Sequence, residues 1–298
     1  MIVVIGSINM DLVLRVPRMP LPGETLTGGA FQTIAGGKGA NQAVACARLG
    51  STPVAMIGCL GDDPFGHTLR AALVADNIDV SHVAMLPGVA SGIASILVDA
   101  SGQNSIVIAG GANDLLTPAH IDAAKPLLAS ASIVVLQLET PLATVQHVIA
   151  LAHSLGKTVV LNPAPAASLP AAVLAQVDYL IPNEIEAAML LDGGKPDDHA
   201  ASATALRALG CRNVLVTLGA QGVHAALESG SRDFPAQAVK AVDTTAAGDT
   251  FIGGFVAALA TGAPPAAAID LGQRAAAIGV TRQGAQTSIP YLNELELS

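Results

Sequence analysis

Short apolar runs recur along the chain, separated by longer stretches in which alanine and leucine repeat at helical spacing. Runs of strand length occupy Ile2–Ile8, Val54–Gly58, Ile133–Leu136, Thr158–Leu161, Tyr179–Ile181 and Val214–Thr217. Near-continuous apolarity at that length suits strands covered on both faces, as in a parallel sheet. Between them the pattern predicts helices over Ala40–Leu49, Gly66–Ala75, Ala119–Leu128, Leu142–Leu155, Glu184–Leu191 and Ala200–Leu209. Two longer ones follow, Gly248–Ala260 and Ala266–Thr281. Pro141 before one helix, and Gly156 and Gly210 after two others, are ordinary helix punctuation. The alternation argues for a three-layer α/β/α fold with a mainly parallel central sheet and right-handed crossovers.

Two stretches break this rhythm. Asp11–Ile34 carries three prolines and alternates polar with apolar residues, and Ser91–Ile108 reads as a hairpin of Gly92–Val98 and Asn104–Ile108 turning at Asp99–Gly102. The expected division is an α/β body over 1–10, 35–90 and 109–298, with a small inserted antiparallel sheet from 11–34 and 91–108. That sheet is either a lid over a ligand at the carboxyl ends of the strands or a plain edge extension.

Composition narrows the function classes. Of 298 residues 51% are hydrophobic and only 12% charged, against about 25% charged in an average soluble protein. The mean hydropathy of +0.55 is largely alanine. Phe251–Val280, the most apolar stretch, is cut by Pro264-Pro265, Asp270 and Arg274 before reaching the roughly 18 residues a spanning helix needs. Met1–Ile5 lacks the form of a signal peptide, so a cytoplasmic location is expected and no membrane partner. With a net charge of −9, no basic run, 2% aromatics and no Trp, the chain has neither a phosphate-binding stripe nor stacking platforms for nucleic acid. Cys46, Cys59 and Cys211 fit neither a disulfide framework nor a zinc pattern and read as reduced core thiols.

The common nucleotide cradles are missing. Gly6-Ser7-Ile8 lacks the later glycines of a dinucleotide fingerprint, which speaks against an oxidoreductase. In Gly36-Gly37-Lys38-Gly39 the lysine is followed by glycine, and Gln32 stands where a Walker loop has its first glycine. The strongest signal is Asp243-Thr244-Thr245-Ala246-Ala247-Gly248-Asp249-Thr250-Phe251, small residues leading into a long apolar helix. Uncovered N–H groups at such a helix start make an anion site, and Asp249 beside it suits a base that activates a hydroxyl for phosphoryl transfer. Read blandly, Asp249 is an N-terminal helix charge. Gly36–Ala43 is a second glycine-rich helix entry, carrying Lys38 and Asn41. Asn9, Asp11 and Glu139 lie at strand ends, as neutral hydroxyls need for recognition, although Asp11 and Glu139 also suit turn and cap roles. Asn183 and Glu186 have capping-box spacing, and the same pair could orient magnesium waters. Thr217–Gly222 reads as a strand–turn–strand with glycine at two bends.

Gly-Gly-Lys-Gly-Ala-Asn-Gln-Ala near position 40, Asp-Thr-x-Ala-Ala-Gly-Asp-Thr-Phe near 249 and Asn-x-x-Glu at 183–186 together resemble the ribokinase family of carbohydrate kinases, over nearly the whole chain. The resemblance implies ATP-dependent phosphorylation of D-ribose at its 5-hydroxyl, with a β-lid that closes over the sugar and mediates dimerisation. It implies Asp249 as general base and the amides of Ala246, Ala247, Gly248 and Asp249 as an anion hole. Asn9, Asp11, Gly37, Lys38, Asn41 and Glu139 would hold the sugar. Asn183, Thr217, Gly219, Gly222, Gly248 and Gln273 would lie along the nucleotide, with Glu186 ordering Mg2+. Asp243, Thr245, Gly279, Arg282, Gly284 and Ser288 would bind K+, several through carbonyls. Gln273 stands where the family often has Asn or His. Ala246 replaces the glycine of the wider family, which predicts ordinary negative φ there. Asn9 favours ribose over deoxyribose. The rival readings are a sibling kinase for deoxyribose, fructose-type sugars or a nucleoside, and a sugar-binding protein without activity.

Overall fold

The computed structural model describes residues 1–191 and 198–295. Its strands are β1 (Ile2–Ile5), β2 (Asn9–Arg15), β3 (Phe31–Gly36), β4 (Val54–Gly61), β5 (Asp79–Leu86), β6 (Gly92–Val98) and β7 (Asn104–Ala109). There follow β8 (Ile133–Leu136), β9 (Thr158–Leu161), β10 (Tyr179–Leu180), β11 (Asn213–Thr217), β12 (Val223–Leu227) and β13 (Gly230–Phe234). Nine build the main sheet in the order β13-β12-β11-β10-β9-β8-β1-β4-β5, and the rest a second sheet, β3-β2-β6-β7. The main sheet is parallel from β11 to β5, and antiparallel only at β11–β12–β13.

Period-two geometry turns one apolar strand into two cores. Ile2 and Val4 of β1 pack with Phe251, Phe255 and Ile269 on one face of the sheet. Val3 and Ile5 pack with Val145, Val148, Ile149 and Leu206 on the other. Helices Lys38–Leu49, Ala247–Ala260 and Pro265–Gly279 cover the first face, and Leu142–Ser154 and His199–Ala208 the second. The three cysteines are buried and free, and burial pushes the thiols of Cys46 and Cys211 up to about 12. Among the described residues no helix is long and apolar enough to cross a membrane.

The small sheet departs from expectation. It is mixed, since β2 pairs with β6 in parallel while β2–β3 and β6–β7 are antiparallel. Both β2 and β6 leave the carboxyl edge of the main sheet outward, which makes them run alongside each other. It also begins earlier, at Asn9, and ends later, at Gly36 and Ala109. The helix expected over Ala119–Leu128 is two, Pro118–Ala123 and Lys125–Ser130, because Pro126 has no N–H to continue the first.

Candidate active site

β1 has β4 on one side and β8 on the other, so crossovers diverge from it and leave a crevice at its carboxyl end. The chain crosses that crevice through Gly6-Ser7-Ile8 into β2. Ser7 Oγ donates to Glu139 Oε2 at 2.6 Å, and the backbone N–H of Lys38 donates to the same oxygen at 3.1 Å. Glu139 lies beyond the end of β8 at Leu136 and ties down the start of helix Lys38–Leu49. Gly37 turns the chain into that helix at φ 87°, and a Cβ there would sit 2.7 Å from the Asn9 nitrogen, so only glycine fits.

Asp249 occupies the first turn of Ala247–Ala260 and is buried. Its carboxylate is gripped from two consecutive residues of the facing helix: Asn41 Nδ2 donates to Oδ2 at 3.0 Å and Gln42 Nε2 to Oδ1 at 2.9 Å. Asn41 Oδ1 is buried without a partner, an acceptor left for a ligand hydroxyl. Asp11 is only 8% exposed; burial first, then the charges of Glu139 and Asp249, push its carboxyl up to about 7. Asn9 Oδ1 accepts from Asn113 Nδ2 at 2.7 Å.

On the other side of Asp249 lies a hollow of about 210 Å³, lined among others by Lys38, Asn183, Glu186, Thr217, Ala247 and Gly248. Burial lowers the Lys38 ammonium, but the charges of Asp249, Glu139 and Glu186 outweigh it and hold the group above its usual value. Lys38 therefore stays cationic between the acids and the hollow. Among the described residues no side chain caps helix Ala247–Ala260; Ala247 N, expected in the anion hole, donates instead to Thr244 O at 3.2 Å, and the N–H groups of Gly248 and Asp249 are left to meet an anion. A Cβ on Gly248 would meet nothing within 4 Å, which leaves space in front of those amides.

Ala246 corrects the expected backbone. Its φ is +58°, the left-handed region, because the chain must reverse there to start an uncapped helix. An alanine in that region costs about 1–2 kcal/mol, which glycine avoids. Ala246→Gly is accordingly expected to raise unfolding free energy by up to about 1 kcal/mol, part of the relief being lost to the freer unfolded chain. Chemical denaturation checks this, and an unchanged or lower midpoint would contradict the strain argument.

Asn183 and Glu186 combine both readings of their spacing. Asn183 Oδ1 accepts from Glu186 N, and Glu186 Oε2 from Asn183 N, each at 2.8 Å, yet both residues line the hollow. Burial raises the Glu186 carboxyl; the Asn183 N–H and Lys38 offset this only in part, with Asp249 pushing the same way as burial. Gly219, Gly222 and Gln273 do not line the hollow; Gln273 Nε2 donates to Phe234 O at 2.8 Å. Asp243 is a loop tie, accepting from Thr245 N and Oγ1 at 2.9 and 2.6 Å and from Gly284 N at 2.9 Å. Burial pushes its carboxyl up, but these bonds and Arg15 hold it below the ordinary value. The Arg282 guanidinium pairs with Glu294, so only its backbone can face that loop's interior.

A larger surface hollow of about 350 Å³ borders Asp178, Arg207 and Arg212. It sits at the amino ends of β10 and β11, away from the crevice, and Arg212 there is paired with Asp178 at 2.9 Å. Sequence reading gave no role to Gln42, Asn113, Gln137 or Asn162, the buried amides behind the site. Amides inside apolar runs carry no charge signature; only their placement beside a carboxylate could have drawn attention.

A buried carboxylate beside an uncapped helix start, with a lysine and an adjoining cluster of asparagines and carboxylates, fits an enzyme that transfers a phosphoryl group to an alcohol. The family model for pfkB family carbohydrate kinases matches residues 1–292. The chain is 45% identical to a ribokinase of Haemophilus influenzae over 98% of this chain and 95% of that one. It is 40% identical to a deoxyribokinase of Salmonella typhi over 98% and 96%. Among solved structures, a ribokinase of Thermotoga maritima superposes with a TM-score of 0.93 at 38% identity, covering 99% and 98% of the two chains. The chain belongs to the pfkB family of carbohydrate kinases and has its ribokinase-like fold.

Proposed function

We propose that the protein transfers the γ-phosphoryl group of ATP to the 5-hydroxyl of D-ribose. The observation that carries this reading is the position of Asp249, between the Asp11–Glu139–Asn41 cluster and the hollow beneath the uncapped helix. Similarity to ribokinases supports the choice of sugar, among them the one from Arabidopsis thaliana solved in complex with ribose and ATP, 31% identical with a TM-score of 0.90 over 99% of this chain and 97% of that one. Asn9, Asp11, Gly37, Asn41 and Glu139 hold the sugar. Asp249 takes the hydroxyl proton as the oxygen attacks in line, while Lys38 and the amides of Ala246, Gly248 and Asp249 receive the phosphate charge. Asn183 and Thr217 follow the nucleotide inside the hollow, and Gly219, Gly222 and Gln273 meet the part of it that extends beyond.

Glu186 has one carboxylate oxygen left after its capping bond and holds Mg2+ or its waters; the ion, when bound, neutralises phosphate charge. For K+ we propose Asp243, Thr245, Gly279, Arg282, Gly284 and Ser288. The fit rests on the Asp243 ties and on the Ser288 carbonyl near Gly279, an all-oxygen set suited to a hard cation. The second sheet serves as the lid. Phe31, Ile106, Val107 and Ile108 are exposed on it, and β7 is an open edge, which supports a homodimer through the lid; we place the protein in the cytoplasm.

The test is ADP release with Mg-ATP and D-ribose, 2-deoxyribose, fructose or adenosine, each in potassium or sodium. Turnover fastest on ribose and stimulated by potassium is expected. Faster turnover on another sugar would overturn the reading of the Asn9–Asn41 pocket, and none on any would leave a sugar-binding protein without activity.

A further inference from the structure

We infer that Gln42, oriented by Gln137, is the positioning residue that keeps the Asp249 carboxylate in its working direction; this rests on Asp249 being the proton acceptor. An ionised carboxylate can only accept, so the Gln42 amide must turn its Nε2 toward Asp249 Oδ1, at 2.9 Å. The same Nε2 lies 3.2 Å from Asn162 Oδ1, whose own Nδ2 is spent on Ile181 O at 2.9 Å. Gln42 Oε1 then faces Gln137, which presents Nε2 at 2.6 Å. Each amide in the chain thus has one allowed orientation, dictated by the carboxylate at one end and a main-chain carbonyl at the other.

Two features make this arrangement expensive for a merely structural contact. Gln137 Oε1 is left buried with no partner, a direct consequence of turning Nε2 to Gln42. Gly6 lies against that oxygen, and a Cβ at position 6 would come within 1.9 Å of it. Between Leu136 and Leu138, an apolar side chain at 137 would bury no polar group of its own, and the glutamine is explained by its bond to Gln42. Asn41 differs from Gln42 in kind. Its Oδ1 is unpartnered, so it is held at its Nδ2 end alone, whereas both ends of Gln42 are committed. Gln42 is the grip that persists through the reaction.

Gln42→Met and Gln137→Met are close in size to the parent residues and remove the donor at each step. In steady-state ADP release with the fastest sugar of the panel, Gln42→Met is expected to lower kcat by about tenfold or more through misdirection of the base, with both KM values within about threefold. Its pH–kcat profile should differ from the parent's, because the proton acceptor loses one of its two fixed hydrogen-bond donors. The other charged groups facing Asp249, namely Asp11, Lys38, Glu139 and Glu186, are the same in both proteins. Gln137→Met, which is not bonded to Asp249, should show the same signs more weakly while keeping a thermal midpoint near that of the parent. It carries the test alone if Gln42→Met does not fold. Unchanged kcat and pH profile in a folded variant, or an effect on KM alone, would overturn the inference. Asp249→Asn run in parallel separates the two readings. Full activity there removes the base assignment itself; inactivity there with normal methionine variants removes only the Gln42 relay.

Discussion

Asp249→Asn is expected to lower kcat by about 10²–10⁴-fold, the range for losing a general base, while the protein folds and binds both substrates much as before. Retention of the fold follows from the two amides that hold the carboxylate. Gln42 Nε2 still finds an oxygen at Oδ1. Asn41 can rotate its unpartnered Oδ1 toward the new NH2 group, since its Nδ2 has no other bond in the site. The flip leaves Asn41 Nδ2 where Oδ1 had no partner, so one buried orphan replaces another and the stability cost stays modest. What disappears, on the proposed mechanism, is the carboxylate that takes the proton from the attacking hydroxyl. Steady-state kinetics with thermal melts check this. A variant turning over within about fivefold of the parent would show that the hydroxyl proton leaves by another route, contrary to the expectation for a positioned base.

The parts of the fold that were legible are those in which one physical demand dominates. β8 and β9 match the expected Ile133–Leu136 and Thr158–Leu161 because three or four consecutive apolar residues leave a strand covered on both faces as the only economical choice. β5 escaped notice because it carries Asp79, Ser81 and His82 at the sheet edge, where one side can be wet. β1 ends at Ile5, short of Ile8, since Gly6 and Ser7 are needed to turn into the crevice and fasten Glu139. In the site, charge and glycine announced Asp249, Asp11, Lys38 and Gly37. Ala246 was misread because its left-handed turn serves the helix entry against the residue's own preference. The Gln42–Gln137–Asn162 relay is invisible to periodicity, as neutral amides acquire meaning only from the atoms placed opposite them.

Asp11→Ala is expected to raise the sugar KM by about 10²-fold or more, because hydrogen bonds to a charged acceptor are worth about 1.5–3 kcal/mol each and the carboxylate can accept two hydroxyls. The pH dependence of the parent protein gives a sharper version of the same claim. Burial, Glu139 and Asp249 raise this carboxyl from 3.8 to about 7 in the sugar-free protein. The folded state therefore holds the proton more tightly than the unfolded chain does. Below about pH 4 the group contributes no difference; from there to about 7 stability falls with each unit of pH, and above 7 it is level. The full span is at most about 4 kcal/mol by linkage. Asp11→Asn removes this titration, so its denaturation midpoint should decline less between pH 5 and 8 than the parent's. Sugar binding runs the opposite way. Hydroxyl donors favour the ionised form, so the parent's sugar KM should fall as pH rises through 7, and that of Asp11→Asn should not follow. Parallel curves for the two proteins in both measurements would mean that Asp11 is already ionised in the empty site. The cluster with Glu139 and Asp249 would then be open enough to water to screen three carboxylates, and the sugar would gain nothing by discharging their repulsion.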